Sequence, residues 1–235
     1  MEGRAELRQR AKSEDTLVKQ QIEYYRGRAA DYDATASPPH DPLGPYSRQI
    51  EKALERFRPT GTVLEIASGT GTWTARLLGH ATSITALDAA NEMHEQSRAK
   101  LGEDPRIRRV TADVFSWQPD GVYDVVFFAN WLSHVPPGRF QRFWDTVRDA
   151  LSPTGRVFVV DEIEEAWRRE ELLREDFAVD PSVPIVNRVL PDGRTFHVVK
   201  QFWNPKELQA VLRASAWQVE VHPAGPLFWA EALPS

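Results

Sequence analysis

The stretch VLEIASGTGTWTARLL, Val63 to Leu78, constrains the fold of this chain more than any other. An apolar run ends in a turn that contains Gly69 and Gly71, and a helical pattern follows. A strand that passes through a glycine turn into a helix is typical of nucleotide-binding parallel sheets, because the free amides of the helix N-terminus face the ligand. The segment therefore predicts an α/β fold with a ligand site at this turn.

The residues beyond this segment alternate between strand and helix patterns. Strands are predicted over 61–67, 83–89, 107–113, 123–132 and 152–162, and helices over 71–81, 91–102 and 137–151, the second of them capped by Asn91. The fourth strand is almost continuously apolar, which is typical of a strand buried on both faces. This alternation predicts a parallel sheet with helices on both faces.

Both ends of the chain add to this unit. Residues 1–13 are charged and are expected to be frayed or disordered, and residues 14–58 are expected to form a helical cap with helices over 14–30 and 47–57. After the fifth strand, a helix over 162–175 and a hairpin over 183–202 that turns at Pro-Asp-Gly form an expected lid insertion, residues 162–203. A helix capped by Asn204 and strands over 217–223 and 226–233 complete a single domain over 14–235. The prediction is a Rossmann-like, seven-stranded, mostly parallel sheet with an antiparallel C-terminal strand.

Net charge and composition argue against several classes of function. The formal net charge is −5, which disfavours nucleic acids and anionic membranes as partners. The chain has no cysteine, so thiolate nucleophiles, disulfides and cysteine-type zinc sites are excluded. No apolar run approaches the roughly 20 residues that span a bilayer, and the N-terminus lacks the apolar segment of a secretory signal. We expect a cytoplasmic protein that acts on a small molecule, and leave open whether it is a monomer or a homodimer.

Three acidic residues near the strand ends indicate which nucleotide the site takes. Glu65 lies inside the first strand, Asp88 ends the second, where a carboxylate accepts hydrogen bonds from ribose hydroxyls, and Asp113 ends the third. A dinucleotide fingerprint requires glycine at position 74, where this chain has Thr74. A cofactor with a ribose, an adenine and a cationic amino-acid tail fits this acidic rim better than NAD does, which indicates S-adenosylmethionine. Glu65 as a residue that orients the loop, and Asp113 as a helix cap, remain alternatives.

The chain resembles the class I S-adenosylmethionine-dependent methyltransferases, of the methyltransferase type 11 kind. VLEIASGTGTWT resembles the cofactor loop of that family, ITALDAANEM its ribose segment and VTADVFSW its adenine segment. The chain departs from the family at Ala67, where many members have a glycine. YYRGRAADYDAT, FFANWLSHVP, RVLPDGRTFHVVKQF and NPKEL further resemble the phosphonate O-methyltransferases of dehydrophos biosynthesis. This narrower resemblance implies O-methylation of a small acceptor and does not identify it.

The resemblance also implies which residues hold the cofactor, with S-adenosylhomocysteine as its product. Arg28 and Tyr32 are expected at its methionine end, within an N-terminal segment that closes over the site. The full implied set of cofactor residues is Arg28, Tyr32, Glu65, Ala67, Ser68, Gly69, Gly71, Trp73, Asp88, Ala89, Met93, Asp113, Val114 and Asn130. The implied acceptor residues are Tyr25, Trp131, His134, Arg188 and Lys200.

The loop after the fourth strand is the expected floor of the acceptor site. It lacks the Asn/Asp-Pro-Pro-aromatic tetrad of enzymes that methylate amide or nucleobase nitrogen. His134 can act as a general base toward an acceptor hydroxyl, on a sugar or a natural product for example, or it can shape the pocket through backbone hydrogen bonds. A phosphonate or carboxylate acceptor is already ionised and needs no base.

Charged side chains flank this region. In the hairpin, Arg194 and Lys200 lie on one face of a strand and suit a small oxyanion, although Arg194 is better explained as a solvated edge residue. Asp161, Glu162, Glu164 and Glu165 are expected to be solvated charges at a helix start, and no metal site is predicted. An NAD-dependent oxidoreductase and a non-catalytic cofactor-binding module remain as alternative functions.

Overall fold

The computed structural model describes residues 2–36, 43–163 and 184–235, and a seven-stranded sheet forms its centre. The strands of this sheet are β1 (Gly61–Ile66), β2 (Ala81–Asp88), β3 (Ile107–Thr111), β4 (Tyr123–Ala129), β5 (Leu151–Glu162), β8 (Trp217–Ala224) and β9 (Leu227–Pro234). Their spatial order is β3-β2-β1-β4-β5-β9-β8. Strands β1 to β5 are parallel, and β9 is antiparallel to both β5 and β8. The predicted fold class is confirmed, and the strand order reverses next to β1, where open sheets of this kind bind their ligands.

Alternate residues of the central strands pack into two cores, one on each face of the sheet. On β4, Val126 and Phe128 belong to the core beneath the aromatic residues of the following helix, whereas Val125 and Phe127 belong to the opposite core. All four side chains are fully or almost fully buried. Because helices cover both faces, the strand has no solvated side, which explains its continuous apolar sequence.

The helices agree with the predicted pattern, with differences at their ends. They are α1 (Glu2–Arg28), α2 (Tyr32–Ala36), α3 (Gly44–Phe57), α4 (Thr72–Leu77), α5 (Asn91–Leu101), α6 (Phe140–Asp149) and α7 (Pro205–Ala214). Helix α1 begins at Glu2, well before the predicted start at residue 14. Asn91 is the first residue of α5 and not its cap, a position that Ala90 occupies. The predicted cap at Asn204 is confirmed, since its side chain accepts the backbone N–H of Lys206.

A separate hairpin packs on α1. Strands β6 (Ile185–Val189) and β7 (Thr195–Val199) form an antiparallel pair, as predicted, and the helix expected over 162–175 lies mostly outside the described residues. Two neighbouring side chains of α1 bond the edge of β7: Gln20 accepts the N–H of His197 at 2.9 Å, and Gln21 accepts the N–H of Val199 at 3.2 Å. These bonds satisfy donors of an otherwise unpaired edge strand.

In the part of the chain that the structure describes, no helix combines the length and the apolar character needed to cross a bilayer.

Candidate functional site

A cavity lies outside the carboxyl ends of β1 to β4, and α1 forms one of its walls. It encloses about 740 Å³, part of it open to solvent, which is within the range of small-molecule sites. Twelve of the residues predicted for the site line it: Tyr25, Tyr32, Ala67, Gly69, Asp88, Ala89, Met93, Asp113, Val114, Asn130, Trp131 and His134. The structure therefore brings most of the predicted cofactor residues and three of the predicted acceptor residues to one continuous cavity.

The two glycines of the turn have different surroundings. Gly69 lines the cavity with a φ of +54°, and a side chain built there would meet no atom within 4 Å, so a ligand can approach its backbone. Gly71 does not line the cavity. With a φ of +82° it caps α4, and an added Cβ would lie 2.8 Å from Ser97 Oγ. Gly71 is therefore required by the packing of α4 on α5 rather than by direct ligand contact.

Two other residues of the cavity wall adopt the left-handed conformation. Ala67 and Asn130 both have a φ of +52°. For alanine this conformation is strained, whereas asparagine tolerates it. Strained backbone of this kind is concentrated where a binding site requires a particular shape.

The Asp88 carboxylate organises the cavity floor. One oxygen accepts the N–H of Gly69 and the other accepts the N–H of Ala90, each at 2.9 Å. Burial raises the pKa of Asp88 above its usual value. A carboxylate has about four lone-pair positions, so these two bonds leave capacity for two further donors such as ribose hydroxyls. Asp113 is similar, because one oxygen accepts the N–H of Phe115 at 3.0 Å and the other remains available to a ligand.

Glu65 lies beneath the turn and does not line the cavity. Its carboxylate accepts the hydroxyl of Thr74 at 2.6 Å, and both residues are buried. Burial raises the pKa of Glu65 to about 8. The geometry supports the alternative in which Glu65 orients the loop, and it gives Thr74 a role that the sequence did not reveal.

A second cavity adjoins the first and shares with it Tyr32, Ala67, Gly69, Ala129 and Asn130. It encloses about 980 Å³, again partly open to solvent. Ser68 and Trp73, two predicted cofactor residues, line only this second cavity, as does Glu162. The shared wall places these residues around the Gly69 turn, on the side away from Asp113.

His134 lies in a short 3₁₀ turn, Leu132–His134, after β4, and hydrogen bonds fix its ring. Nδ1 is 2.6 Å from the carbonyl oxygen of Val199, and Nε2 is 2.9 Å from the hydroxyl of Tyr25. Because a carbonyl can only accept, Nδ1 carries the hydrogen of the neutral ring, and Nε2 accepts from Tyr25. Burial, followed by the positive charge of Lys200, lowers the pKa of His134 well below 6.5, while burial raises the pKa of Tyr25 well above 10. Both side chains are therefore neutral near pH 7.

Lys200 is buried behind this pair. Its ammonium donates to Ser133 Oγ at 3.1 Å and to the carboxylate of Glu162 at 2.9 Å. Although burial acts in the opposite direction, the charge of Lys200 lowers the pKa of Glu162. Arg188, on the neighbouring strand, is close enough for its charge to lower the pKa of both His134 and Glu162. The charges of Lys200, Arg188 and Arg28 thus all act on His134, and the carboxyls of Glu162 and Asp161 lie near Lys200.

The structure contradicts one prediction about the acidic run at the end of β5. Asp161 and Glu162 are not solvated helix charges, because both belong to β5. Asp161 is fully buried and accepts the N–H groups of Ser133 and Glu162, each at 2.8 Å. Glu164 and Glu165 lie outside the described residues.

None of the four cations considered for the site, Arg28, Arg188, Arg194 and Lys200, is among the residues that line either cavity. Arg28 donates to Thr35 Oγ1 at 2.9 Å and lies 5.0 Å over the ring of Tyr32, so it connects α1 with α2. Arg194 pairs with Asp192 at 2.8 Å, and both side chains are more than half exposed. The position of Arg194 agrees with a solvated edge residue.

Eight residues of the cavity lining were not predicted for the site, and three of them lie on one helix. Val18, Gln21 and Ile22 of α1 line the cavity together with Tyr25. Gln21 is 2% exposed, accepts the N–H of Val199 and donates to the carbonyl of His134 at 3.3 Å. A glutamine on the apolar face of a predicted helix was the available signal, because buried polar groups need partners.

Known proteins share this architecture. A family model described as a methyltransferase domain matches residues 63–155. A structure of DhpI with S-adenosylhomocysteine is 36% identical, covers 94% of this chain and 98% of that one, and has a TM-score of 0.77. A structure of DhpI with S-adenosylmethionine and HEP is 39% identical, covers 93% of this chain and 98% of that one, and has a TM-score of 0.79.

A more distant structure shares the fold alone. The CcbJ methyltransferase from Streptomyces caelestis is 20% identical, covers 92% of this chain and 99% of that one, and has a TM-score of 0.66. No curated protein matches the chain.

Proposed function

Because this chain belongs to the class I S-adenosylmethionine-dependent methyltransferases, we propose that it methylates an oxygen atom of a small-molecule acceptor. The residues around the cavity fit the cofactor. Asp88 keeps acceptor capacity for ribose hydroxyls, Gly69 leaves open space beside its backbone, and Asp113 keeps an oxygen for an adenine amino group. When bound, S-adenosylmethionine supplies an activated methyl group on a positively charged sulfur.

The acceptor that we favour carries a negative charge on the oxygen to be methylated, as a phosphonate or a carboxylate does. The observation that carries this proposal is the Lys200 ammonium, which donates to Ser133 Oγ at 3.1 Å beside His134 at the far end of the cavity, and the charges of Lys200 and Arg188 both lower the pKa of His134. An ionised oxygen needs no base, so these residues need only hold it in line with the methyl group and exclude water. The resemblance to phosphonate O-methyltransferases supports the same class.

A neutral hydroxyl acceptor is the second candidate, and the bond between Tyr25 and His134 favours it. With Nδ1 held by Val199, the Nε2 lone pair points to the Tyr25 hydroxyl. The Tyr25 oxygen can in turn accept a hydrogen bond from the substrate hydroxyl that is to be methylated. This chain of bonds gives the acceptor proton a path to the ring. A sugar or natural-product hydroxyl would suit this arrangement.

A panel of acceptors with methyl-labelled S-adenosylmethionine tests the proposal. We expect label transfer to a phosphonate or carboxylate, with a phenol and a sugar as the hydroxyl members of the panel and an amine as its nitrogen member. R188M and K200M should raise the KM of the anionic acceptor roughly 10- to 100-fold, because hydrogen bonds to charged groups contribute about 1.5–3 kcal/mol. R194M removes an exposed cation from the same hairpin and should leave that KM unchanged.

Three results would contradict the proposal. Label transfer only to hydroxyl acceptors would favour the second candidate, and transfer only to nitrogen acceptors would contradict O-methylation. Binding of S-adenosylhomocysteine without transfer to any acceptor would indicate a non-catalytic cofactor-binding module. An NAD-dependent oxidoreductase, the remaining alternative from the sequence, is disfavoured by family membership.

A further inference from the structure

Two adjacent glutamines of α1 bond the same edge strand but lie in different surroundings. Gln20 accepts the N–H of His197 at 2.9 Å and lines neither cavity. Gln21 accepts the N–H of Val199 at 3.2 Å, is almost completely buried, and lines the same cavity as His134. Because Gln20 attaches β7 to α1 from outside the cavity, attachment of β7 alone does not explain why Gln21 lies in the cavity wall.

The backbone partners of Gln21 determine the orientation of its amide. The atom beside the Val199 N–H is Oε1, because an N–H only donates. The atom 3.3 Å from the His134 carbonyl oxygen is Nε2, because a carbonyl only accepts. The amide nitrogen of glutamine carries two hydrogens, and the bond to His134 uses one of them. Among the residues that the structure describes, none accepts the second hydrogen.

The second hydrogen of this amide suits an anionic acceptor. Buried donors in proteins are as a rule hydrogen-bonded, since a buried donor without a partner is unfavourable. Val18 and Ile22, which line the cavity beside Gln21, have no polar side-chain atom. The bond to His134 places the amide nitrogen at the acceptor end of the cavity. A phosphonate or carboxylate has a further oxygen beside the one that attacks the methyl group, and this oxygen can accept the hydrogen.

We infer that Gln21 is an acceptor-binding residue that donates its second amide hydrogen to the anionic group of the acceptor. The inference rests on the proposed function, since it assumes an anionic acceptor at the His134 end of the cavity. It goes beyond that function by assigning part of acceptor recognition to a neutral donor on α1. Q21M tests it by replacing the amide with an apolar side chain of similar length. Q20M is the matched control, because it removes the corresponding bond to β7 outside the cavity.

Methylphosphonate and acetate are the probes, one for each class of anionic acceptor. Calorimetry on protein saturated with S-adenosylhomocysteine gives their dissociation constants without methyl transfer. For the probe that the wild type binds more tightly, Q21M should raise the dissociation constant roughly 10- to 100-fold, because a hydrogen bond to a charged group contributes this much. Q20M should leave it unchanged, and both variants should bind S-adenosylhomocysteine as the wild type does.

Nuclear magnetic resonance tests the same bond in the wild type without any substitution. With ¹⁵N-labelled glutamine, the side-chain amide of Gln21 gives two hydrogen signals, which are assigned through transfer from the Gln21 backbone. Addition of the tighter-binding probe to the complex with S-adenosylhomocysteine should move one of these signals downfield, as a new hydrogen bond to an oxyanion does. The other signal should stay nearly unchanged, since its hydrogen remains bonded to His134.

The inference is overturned if Q21M binds the probe as tightly as the wild type, if Q20M weakens binding equally, or if neither Gln21 signal moves downfield. Failure of both anions to bind the wild type would also overturn it. None of these measurements needs turnover. A protein that transfers label to anionic acceptors without these effects would retain the proposed function and lose the inference. A protein that shows the effects but transfers no label to oxygen would lose the function and retain Gln21 as an oxyanion-binding residue.

Discussion

The hydroxyl of Tyr25 lies 2.9 Å from Nε2 of His134, so a hydrogen bond between two side chains joins α1 to the loop after β4. The ring of His134 is held from its other side by the carbonyl of Val199 on β7. Three segments that are remote in the chain thus determine one tautomer of one histidine. Gln21 reinforces the arrangement, because it bonds the backbone of both His134 and Val199.

The pH dependence of the rate tests whether His134 acts as a base. Burial lowers the pKa of His134 well below 6.5, so the ring is neutral at pH 7 and becomes protonated only at lower pH. With a hydroxyl acceptor, we expect kcat/KM to be constant near neutrality and to fall on the acid side as the ring is protonated. H134A should remove this acid limb and lower the rate by roughly 10²- to 10⁴-fold.

Y25F is the matched control for that measurement. It keeps the aromatic packing and removes the hydroxyl that bonds Nε2. With a hydroxyl acceptor it should lower the rate and leave an acid limb, since the base itself remains. An acid limb that persists in H134A would show that His134 only shapes the pocket.

Asp88 is the residue on which cofactor binding should depend most. D88A removes a charged acceptor for ribose hydroxyls and also releases the N–H groups of Gly69 and Ala90. Hydrogen bonds to charged groups contribute about 1.5–3 kcal/mol, so affinity for S-adenosylhomocysteine should fall roughly 10- to 100-fold. Calorimetry measures this directly, with D104N, at a partly exposed carboxylate of the loop before β3, as the control. Unchanged affinity would mean that the ribose lies elsewhere.

The sheet could be predicted because the apolar sequence of each central strand indicates that the strand is buried. The apolar run of β4 and the Asn204-Pro205 start of α7 are local signals that tertiary contacts reinforce. The start of α1 was missed because the charged residues before Glu14 show no apolar periodicity. Their high helix propensity was the remaining signal.

The candidate site could be predicted less completely, because its charges are paired across distant segments. Glu162 follows Asp161 in an acidic run, and nothing local indicates that its partner is Lys200 on the far side of the hairpin. Thr74 was considered only as a departure from a dinucleotide fingerprint, whereas in the structure its hydroxyl bonds Glu65. Such partners are fixed by the fold and leave no pattern in the sequence.

The buried carboxyl of Glu65 should make stability depend on pH. Burial raises its pKa to about 8 from an ordinary value of 4.5, so between these values the folded protein binds more protons than the unfolded chain. The free energy of unfolding should therefore fall as pH rises from about 5 to 8, by at most roughly 1.4 kcal/mol per pH unit from this group. E65Q should be more stable than the wild type at pH 8, and the two should converge below pH 4.5.

Denaturant unfolding at a series of pH values measures this difference. E95Q, which changes an exposed glutamate of α5, controls for the loss of one charge. A constant difference between E65Q and the wild type from pH 5 to pH 8 would contradict the prediction.

Asp33 connects the N-terminal segment to the glycine turn, and this contact should govern how fast the cofactor product leaves. The Asp33 carboxylate accepts the hydroxyl of Thr70 at 2.5 Å and pairs with Lys100 of α5 at 2.6 Å. Thr70 lies between the two glycines of the turn, and neighbouring Tyr32 lines both cavities. The pair is partly exposed and contributes about 0.2–1 kcal/mol, and the Thr70 bond contributes about 0.5–1.5 kcal/mol. D33A should therefore speed release of S-adenosylhomocysteine by roughly 3- to 70-fold in stopped-flow measurements.

Hydrogen exchange shows whether that change comes from opening of the N-terminal segment. In the wild type, S-adenosylhomocysteine should increase protection over residues 20–35, because we expect this segment to close over the cavity when the cofactor product binds. D33A should lose part of this gain, whereas K52A, on α3 away from the contact, should keep it. Unchanged protection of residues 20–35 in the wild type would rule out closure, and equal release rates in D33A and the wild type would show that Asp33 does not hold the segment in place.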